Sequence, residues 1–288
     1  MEPQPVADVP CHTGENPLWH PGHDRLYWID IPPGRLYRYD PATDSHELCL
    51  DAGRPIGGFT LQASGHLLLF MDKGTVMSWN DGHLETVIDG LPDEEDNRFN
   101  DVIADPAGRV FAGTMSPPHR PGCLYRLDPD RSVTTVFDDI GTSNGMGFTP
   151  DCKHLYYTDT KTGRIDICDY DAAAGALAHR RPFATVLDPQ TEGRPDGLTV
   201  DADGPVWGAR WDGSRLVRYT SDGQVDRVVP FPCRKVSSVI FGGDEYTDLY
   251  VTTAGGHLRP DDGPLAGALF RLRPGVRGRP EHCSRIAP

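Results

Sequence analysis

The 288-residue sequence contains no run of eighteen apolar residues, so it predicts no membrane-spanning helix. Met1 to Pro10 lacks a basic flank followed by an apolar core, and no secretory leader is expected. Its seven cysteines (Cys11, Cys49, Cys123, Cys152, Cys168, Cys233 and Cys283) include no Cys-x-x-Cys pair and no zinc-finger spacing. Scattered thiols of this kind point to reduced, structural cysteines and a cytoplasmic protein. Positive charge is scarce: 28 Lys and Arg against 42 Asp and Glu leave a formal net charge of −14. That balance argues against nucleic acid or an anionic membrane as partner, since phosphate-binding surfaces are basic. Catalytic signatures are also missing. There is no Gly-x-Ser-x-Gly elbow, no His-Glu-x-x-His and no phosphate-binding Gly-rich loop ending in Lys-Ser/Thr, which excludes the commonest serine-nucleophile and zinc-peptidase chemistries. Sustained amphipathic helices are absent too, and the Ala-rich stretch Asp171 to Leu177 is short and interrupted by Gly175.

What the sequence has is turns and short strands. Its 32 Gly and 27 Pro fit many strands joined by tight connections. One apolar phrase recurs with an aromatic or polar ending, as in Leu26-Tyr27-Trp28-Ile29-Asp30, Val110-Phe111-Ala112-Gly113, Leu155-Tyr156-Tyr157-Thr158-Asp159 and Leu249-Tyr250-Val251-Thr252. A second, alternating phrase follows about ten residues later, as in Leu36-Tyr37-Arg38-Tyr39-Asp40, Leu124-Tyr125-Arg126-Leu127-Asp128 and Leu216-Val217-Arg218-Tyr219. Turn signals such as Pro21-Gly22, Ser64-Gly65, Asp105-Pro106-Ala107-Gly108 and Asp201-Ala202-Asp203-Gly204 precede the first phrase. Six copies at a period of roughly forty to fifty residues fill the chain, the period of a propeller blade. The expectation is an all-β fold, a six-bladed β-propeller forming a single domain over residues 1–288. A pair of β-sandwiches is the structural rival, but it needs no such even period.

In a propeller the innermost strand of every blade lines the central channel, so equivalent repeat positions meet near the axis. The six candidate inner strands start at Gly14-Glu15-Asn16, Ile56-Gly57-Gly58, Asn97-Arg98-Phe99-Asn100-Asp101, Thr142-Ser143-Asn144-Gly145, Arg194-Pro195-Asp196-Gly197 and Val236-Ser237-Ser238. Four of them offer an oxygen at the matching point: Glu15, Asn100, Asn144 and Asp196. Oxygen donors round one point suit a divalent cation. Each residue also has a plainer role. Asn144-Gly145 and Asp196-Gly197 are ordinary turn dipeptides, Glu15 could be a cap, and Arg98 could pair with Glu94, Glu95 or Asp96. Shared register favours the common site, because independent turns would scatter along the repeat.

Glu15-Asn16-Pro17-Leu18-Trp19, Asn97-Arg98-Phe99-Asn100-Asp101, Asp105 to Arg109 with Ala112-Gly113-Thr114-Met115, Ser143-Asn144-Gly145 and Pro195-Asp196-Gly197 resemble the senescence-marker-protein/gluconolactonase (regucalcin-like) family over essentially the whole chain, in order. The resemblance implies a six-bladed propeller with one catalytic divalent metal ion (calcium, zinc, manganese or ferrous iron) at a central site. It implies Glu15, Asn144 and Asp196 as metal ligands, and Arg98 and Asn100 as substrate-contacting residues, Asn100 near or on the metal. The expected reaction is hydrolysis of a C5 or C6 sugar-acid lactone, with Asp196 as ligand and general base. The expected protein is a monomer or weak homo-oligomer. Two departures bear on the substrate. Ser116 to Gly122 is Pro-rich and lacks an acidic residue that some relatives use on the sugar, and Ile56-Gly57-Gly58 offers little side chain. His119-Arg120 and His257-Leu258-Arg259 are candidate rim loops. The alternatives are a non-catalytic calcium-binding or interaction propeller and a related esterase.

Overall fold

The computed structural model describes residues 2–286. It is a six-bladed β-propeller: six four-stranded antiparallel sheets, each apart from the last built from four strands consecutive in sequence. The inner strands are Gly14–His20, Ile56–Leu61, Phe99–Ala104, Ser143–Phe148, Arg194–Val200 and Lys235–Gly242. The recurring aromatic phrases form the second strands, such as Arg25–Asp30 and His154–Asp159, and the alternating phrases the third. Outermost strands such as Ser45–Asp51 and Ala176–Thr185 are largely exposed. The sixth sheet departs from the pattern, because its outermost strand is Gln4–Ala7 from the start of the chain, paired antiparallel with Leu269–Leu272.

The core lies between blades. Apolar residues from the facing sides of neighbouring sheets interlock, as where Leu18, Tyr27 and Ile29 of the first blade meet Phe59, Leu67 and Leu69 of the second. Strand alternation supplies both faces, which is why Trp207 packs towards the sixth blade while Val206 packs towards the fourth.

At the axis the inner strands are crowded. A Cβ on Gly57 would stand 1.9 Å from the Phe99 carbonyl oxygen, and one on Gly145 would stand 2.4 Å from the Leu198 nitrogen. A Cβ on Gly197 would be 2.2 Å from the Ser238 hydroxyl. None of these three glycines has positive φ. Asn144-Gly145 and Asp196-Gly197 are therefore not turns; their glycines let adjacent backbones touch. Each of the six inner strands also carries a register shift at the same level, between Glu15 and Leu18, Ile56 and Gly58, Phe99 and Val102, Asn144 and Met146, Pro195 and Leu198, and Val236 and Ser238. A bulge re-aims the neighbouring side chain.

The segment after Leu272 crosses the far mouth of the channel, making backbone or side-chain bonds to Tyr246, Ala202, Phe148, Gly108 and Leu61 in turn. Glu281 and His282 sit within it beside a space of only about 40 Å³ between the inner strands. Substituting Gly57→Ala should lower stability by about 1–3 kcal/mol through this overpacking. Gly208→Ala should hold or raise it, since its Cβ would meet nothing closer than 3.7 Å. Urea unfolding of both variants checks the contrast.

Candidate active site

At the open mouth lies a cavity of about 600 Å³ lined by Glu15, Arg98, Asn100, Asn144 and Asp196 together with Thr13, Ile31, Met115, Thr142, Thr160, Lys161, Arg194 and Trp211. The four residues singled out by their repeat position, and Arg98, which the family resemblance implied, face one space. The lining comes from the first, third, fourth and fifth blades; the second and sixth contribute none of it. Glycines at Gly57 and Gly58, close against Phe99 and Asn100, explain the second blade's silence.

Local structure fixes each side chain. Glu15 sits just before the first bulge, where Asn16 takes φ 46°, a left-handed value that asparagine tolerates better than most residues. The Asn16 side chain accepts the Phe59 backbone N–H at 2.6 Å, and the Glu15 carboxylate accepts the N–H of Asn16 at 3.0 Å. The strand leading to Glu15 is gripped by Asp30, whose carboxylate accepts the backbone N–H groups of His12 and Thr13 at 3.1 and 2.9 Å. Asp159 repeats the device in the fourth blade, accepting from Gly141 and Thr142 at 3.0 Å each, just ahead of Asn144. The aspartates that end the phrases Leu26–Asp30 and Leu155–Asp159 are thus anchors for two candidate ligand strands.

Arg98 donates from Nη1 to the Phe99 carbonyl at 2.9 Å and to Asn100 Oδ1 at 2.7 Å, which occupies two of its five N–H donors. Asn100 Nδ2 donates to the Ser143 carbonyl at 2.7 Å. The Asn100 amide is therefore engaged at both ends, and most directly it braces Arg98. Asn144 and Asp196 differ: Asn144 Oδ1 and Asp196 Oδ2 are buried with no protein partner.

The electrostatics are those of an uncompensated acidic site. Burial, then the charge of Asp101, pushes the Glu15 carboxyl up to about 8. Burial, then Glu15 and Asp101, raises Asp196 well above the carboxylate range, and the Asn144 amide and Arg98 offset only part of this. Burial lowers Arg98 to about 10 although Glu15 and Asp196 pull it upward. Two repelling carboxylates and an orphaned amide oxygen fit a hard divalent cation, which would satisfy all three. Among the described residues no group of three His, Cys, Asp or Glu side chains stands ready for a metal. The candidate set of two carboxylates and an amide is of another kind.

Several sequence expectations need correction. Arg98 does not pair with Glu94, Glu95 or Asp96. It is Arg120 that reaches the buried Glu94 at 3.2 Å and Asp96 at 3.4 Å. Glu94 also accepts hydrogen bonds from Asn97 Nδ2 at 2.6 Å and the Tyr125 hydroxyl at 2.7 Å, while Asn97 bonds the Met115 carbonyl at 2.8 Å. Neither His119-Arg120 nor His257-Leu258-Arg259 lines the cavity; His119 pairs with Asp96, and Arg259 with Asp8. Of the loop around 116–122 only the preceding Met115 reaches the lining. Asp101, outside the lining, adds its charge to the site and is itself raised to about 6 by burial. Sequence reasoning also missed Thr160, Lys161, Arg194 and Trp211, which lie at strand ends where the repeat carries no chemical signal.

Fold and site together define a propeller with a blind, oxygen-lined axial pocket. The sequence profile described as the SMP-30/Gluconolactonase/LRE-like region matches residues 13–255, and the chain belongs to that family. It is 45% identical to the pentonolactonase XacC of Haloferax volcanii, covering 98% of this chain and 97% of the relative. It is 35% identical to the regucalcin of Xenopus laevis, with 95% of each chain covered. Its fold matches the solved structure of a calcium-binding protein, regucalcin, from Agrobacterium tumefaciens with TM-score 0.89, at 26% identity over 99% of this chain and 98% of that one.

The raised Glu15 predicts how the cation-free protein responds to pH. The unfolded carboxyl loses its proton near its ordinary value of 4.5, the folded one only near about 8. Between these values the native state binds the extra proton, so stability falls as pH rises. Melting of chelator-dialysed protein should shift downward from pH 5 to pH 8. Glu15→Gln should flatten that slope, and added Ca²⁺ should oppose it most at the alkaline end.

Proposed function

We propose that this protein hydrolyses a sugar-acid lactone of five or six carbons to the open-chain aldonic acid, with one divalent cation held by Glu15, Asn144 and Asp196. The observation that carries the reading is the pair of buried, unpartnered oxygens, Asn144 Oδ1 and Asp196 Oδ2, beside the raised carboxyl of Glu15. The 45% identity to a pentonolactonase supports the reaction class and favours a five-carbon lactone. A relative described as a calcium-binding protein supports a divalent ion, and its identity is a matter for experiment among calcium, zinc, manganese and ferrous iron.

A divalent cation in that position supplies Lewis acidity to a lactone carbonyl. The protein's own groups do the rest. Asp196 accepts the proton of the attacking water, a role suited to a carboxylate whose second oxygen has no protein donor. Arg98 has donors left for the substrate hydroxyls and for the oxyanion that develops on the carbonyl oxygen. Asn100 keeps the guanidinium in place and has one amide hydrogen left for a sugar hydroxyl. Ring opening then transfers a proton to the departing alkoxide, for which Asp196, protonated in the first step, is positioned.

The cysteines support a reducing, cytoplasmic setting, since all seven are free thiols. No helix among the described residues is long and apolar enough to cross a membrane. We further propose that the chain works as one domain, as a monomer or weak homo-oligomer, and without nucleic acid.

A pH-stat assay with pentono- and hexonolactones tests the reading. Dialysis against a chelator should abolish hydrolysis, and a divalent ion should restore it; full activity of the cation-free protein would refute the metal role. Asp196→Ala should lower kcat by about 10²–10⁴-fold with the fold retained. Near-normal turnover in that variant would assign the proton transfer to another group.

A further inference from the structure

Thr160 stands between two of the candidate ligands and belongs to neither of their strands. Its hydroxyl donates to the Pro195 carbonyl at 2.8 Å, and a carbonyl can only accept. The single hydroxyl hydrogen is thereby committed. What remains towards Asn144 is a lone pair, and the partner facing it at 3.1 Å is Asn144 Nδ2. An amide has one nitrogen and one oxygen end. Fixing Nδ2 on Thr160 leaves Oδ1 for the cavity, and that oxygen is one of the buried atoms without a protein partner. With the amide reversed, two oxygens would face each other with no hydrogen between them, and the donor end would enter the cation position.

The same hydroxyl ties the fourth blade to the backbone immediately before Asp196, so Asn144 and Asp196 share one mechanical link. Thr160 is itself held. Its backbone N–H donates to the Thr142 carbonyl at 3.1 Å, its carbonyl accepts from Gly163 at 3.2 Å, and it follows the anchoring Asp159 directly.

We infer that Thr160 is a positioning residue for the cation site: its hydroxyl selects the amide orientation of Asn144 that presents an oxygen, and registers Asn144 against Asp196. The inference rests on the metal reading given above and adds a residue that acts through a ligand rather than on the substrate. Groups that orient metal ligands typically contribute about 10- to 100-fold in metal affinity.

The test is calorimetric titration of chelator-stripped protein with Ca²⁺ and with Mn²⁺, for wild type, Thr160→Val, Thr160→Ser and Asn144→Ala. Valine keeps the shape of threonine and removes the hydroxyl; serine keeps the hydroxyl. Thr160→Val should bind about 10- to 100-fold more weakly, Thr160→Ser within a few-fold of wild type, and the cation-free melting temperatures of wild type and Thr160→Ser should coincide. Affinity of Thr160→Val within twofold of wild type overturns the inference, as does an equal loss in Thr160→Ser. Wild-type protein that binds neither ion, or Asn144→Ala that binds like wild type, overturns the metal reading itself. The two failures are thus told apart.

Discussion

Backbone contact at the propeller axis governs this molecule. Six inner strands converge until neighbouring backbones touch through Gly57, Gly145 and Gly197. No larger residue fits there, and Asn144 and Asp196, which immediately precede Gly145 and Gly197, are brought into one cavity. Each bulge at that level turns its neighbour towards the axis. Close packing therefore produces like-charge crowding among Glu15, Asp101 and Asp196, and the raised carboxyls of the candidate site follow from the way the strands fit.

Much of this was legible in the sequence because a propeller converts repeat position into spatial position. The inner-strand starts read at Gly14, Ile56 and Arg194 coincide with the observed strands, those read at Asn97, Thr142 and Val236 fall beside the observed Phe99, Ser143 and Lys235, and the four residues chosen by register line one cavity with Arg98. What escaped was of two kinds. The outermost strands, such as Ser45–Asp51, are mostly exposed and carry little hydrophobic alternation. Contacts between distant segments left no local trace either: nothing near Thr160 announces Pro195, and nothing near Glu94 announces Arg120. Asn-Gly and Asp-Gly misled in isolation because glycine serves both positive φ and close approach, and only the second operates at Gly145 and Gly197.

The two mouths of the channel have separate tasks. At the open one, threonines, amides and cations from four blades surround the cavity, and the buried Glu94 holds the Arg98 and Met115 segments together through Asn97. At the other, turn aspartates serve packing: Asp105 accepts the backbone N–H of Ala107 and Arg109 and the Tyr170 hydroxyl. The tail after Leu272 lies over that mouth, bonded to Tyr246, Ala202, Gly108 and Leu61. Conspicuous motifs such as Asp105 to Arg109 thus belong to the scaffold, while the chemistry falls to shorter signals.

Among the described residues the strand Gln4–Ala7 precedes every other strand and pairs with the one that follows them all, Leu269–Leu272. A ribosome must therefore make all five other blades before the sixth is complete. Until then the ring has two raw edges, and the opening strand is an unpaired β-segment free to find another partner. Such a closure joins residues at the extreme of sequence separation, which slows folding. Once formed, the pairing adds a hydrogen-bonded tie to the apolar contact between the first and sixth blades, where Trp19 and Trp28 meet Ile240 and Tyr250, so parting those two blades also requires Gln4–Ala7 to leave its sheet.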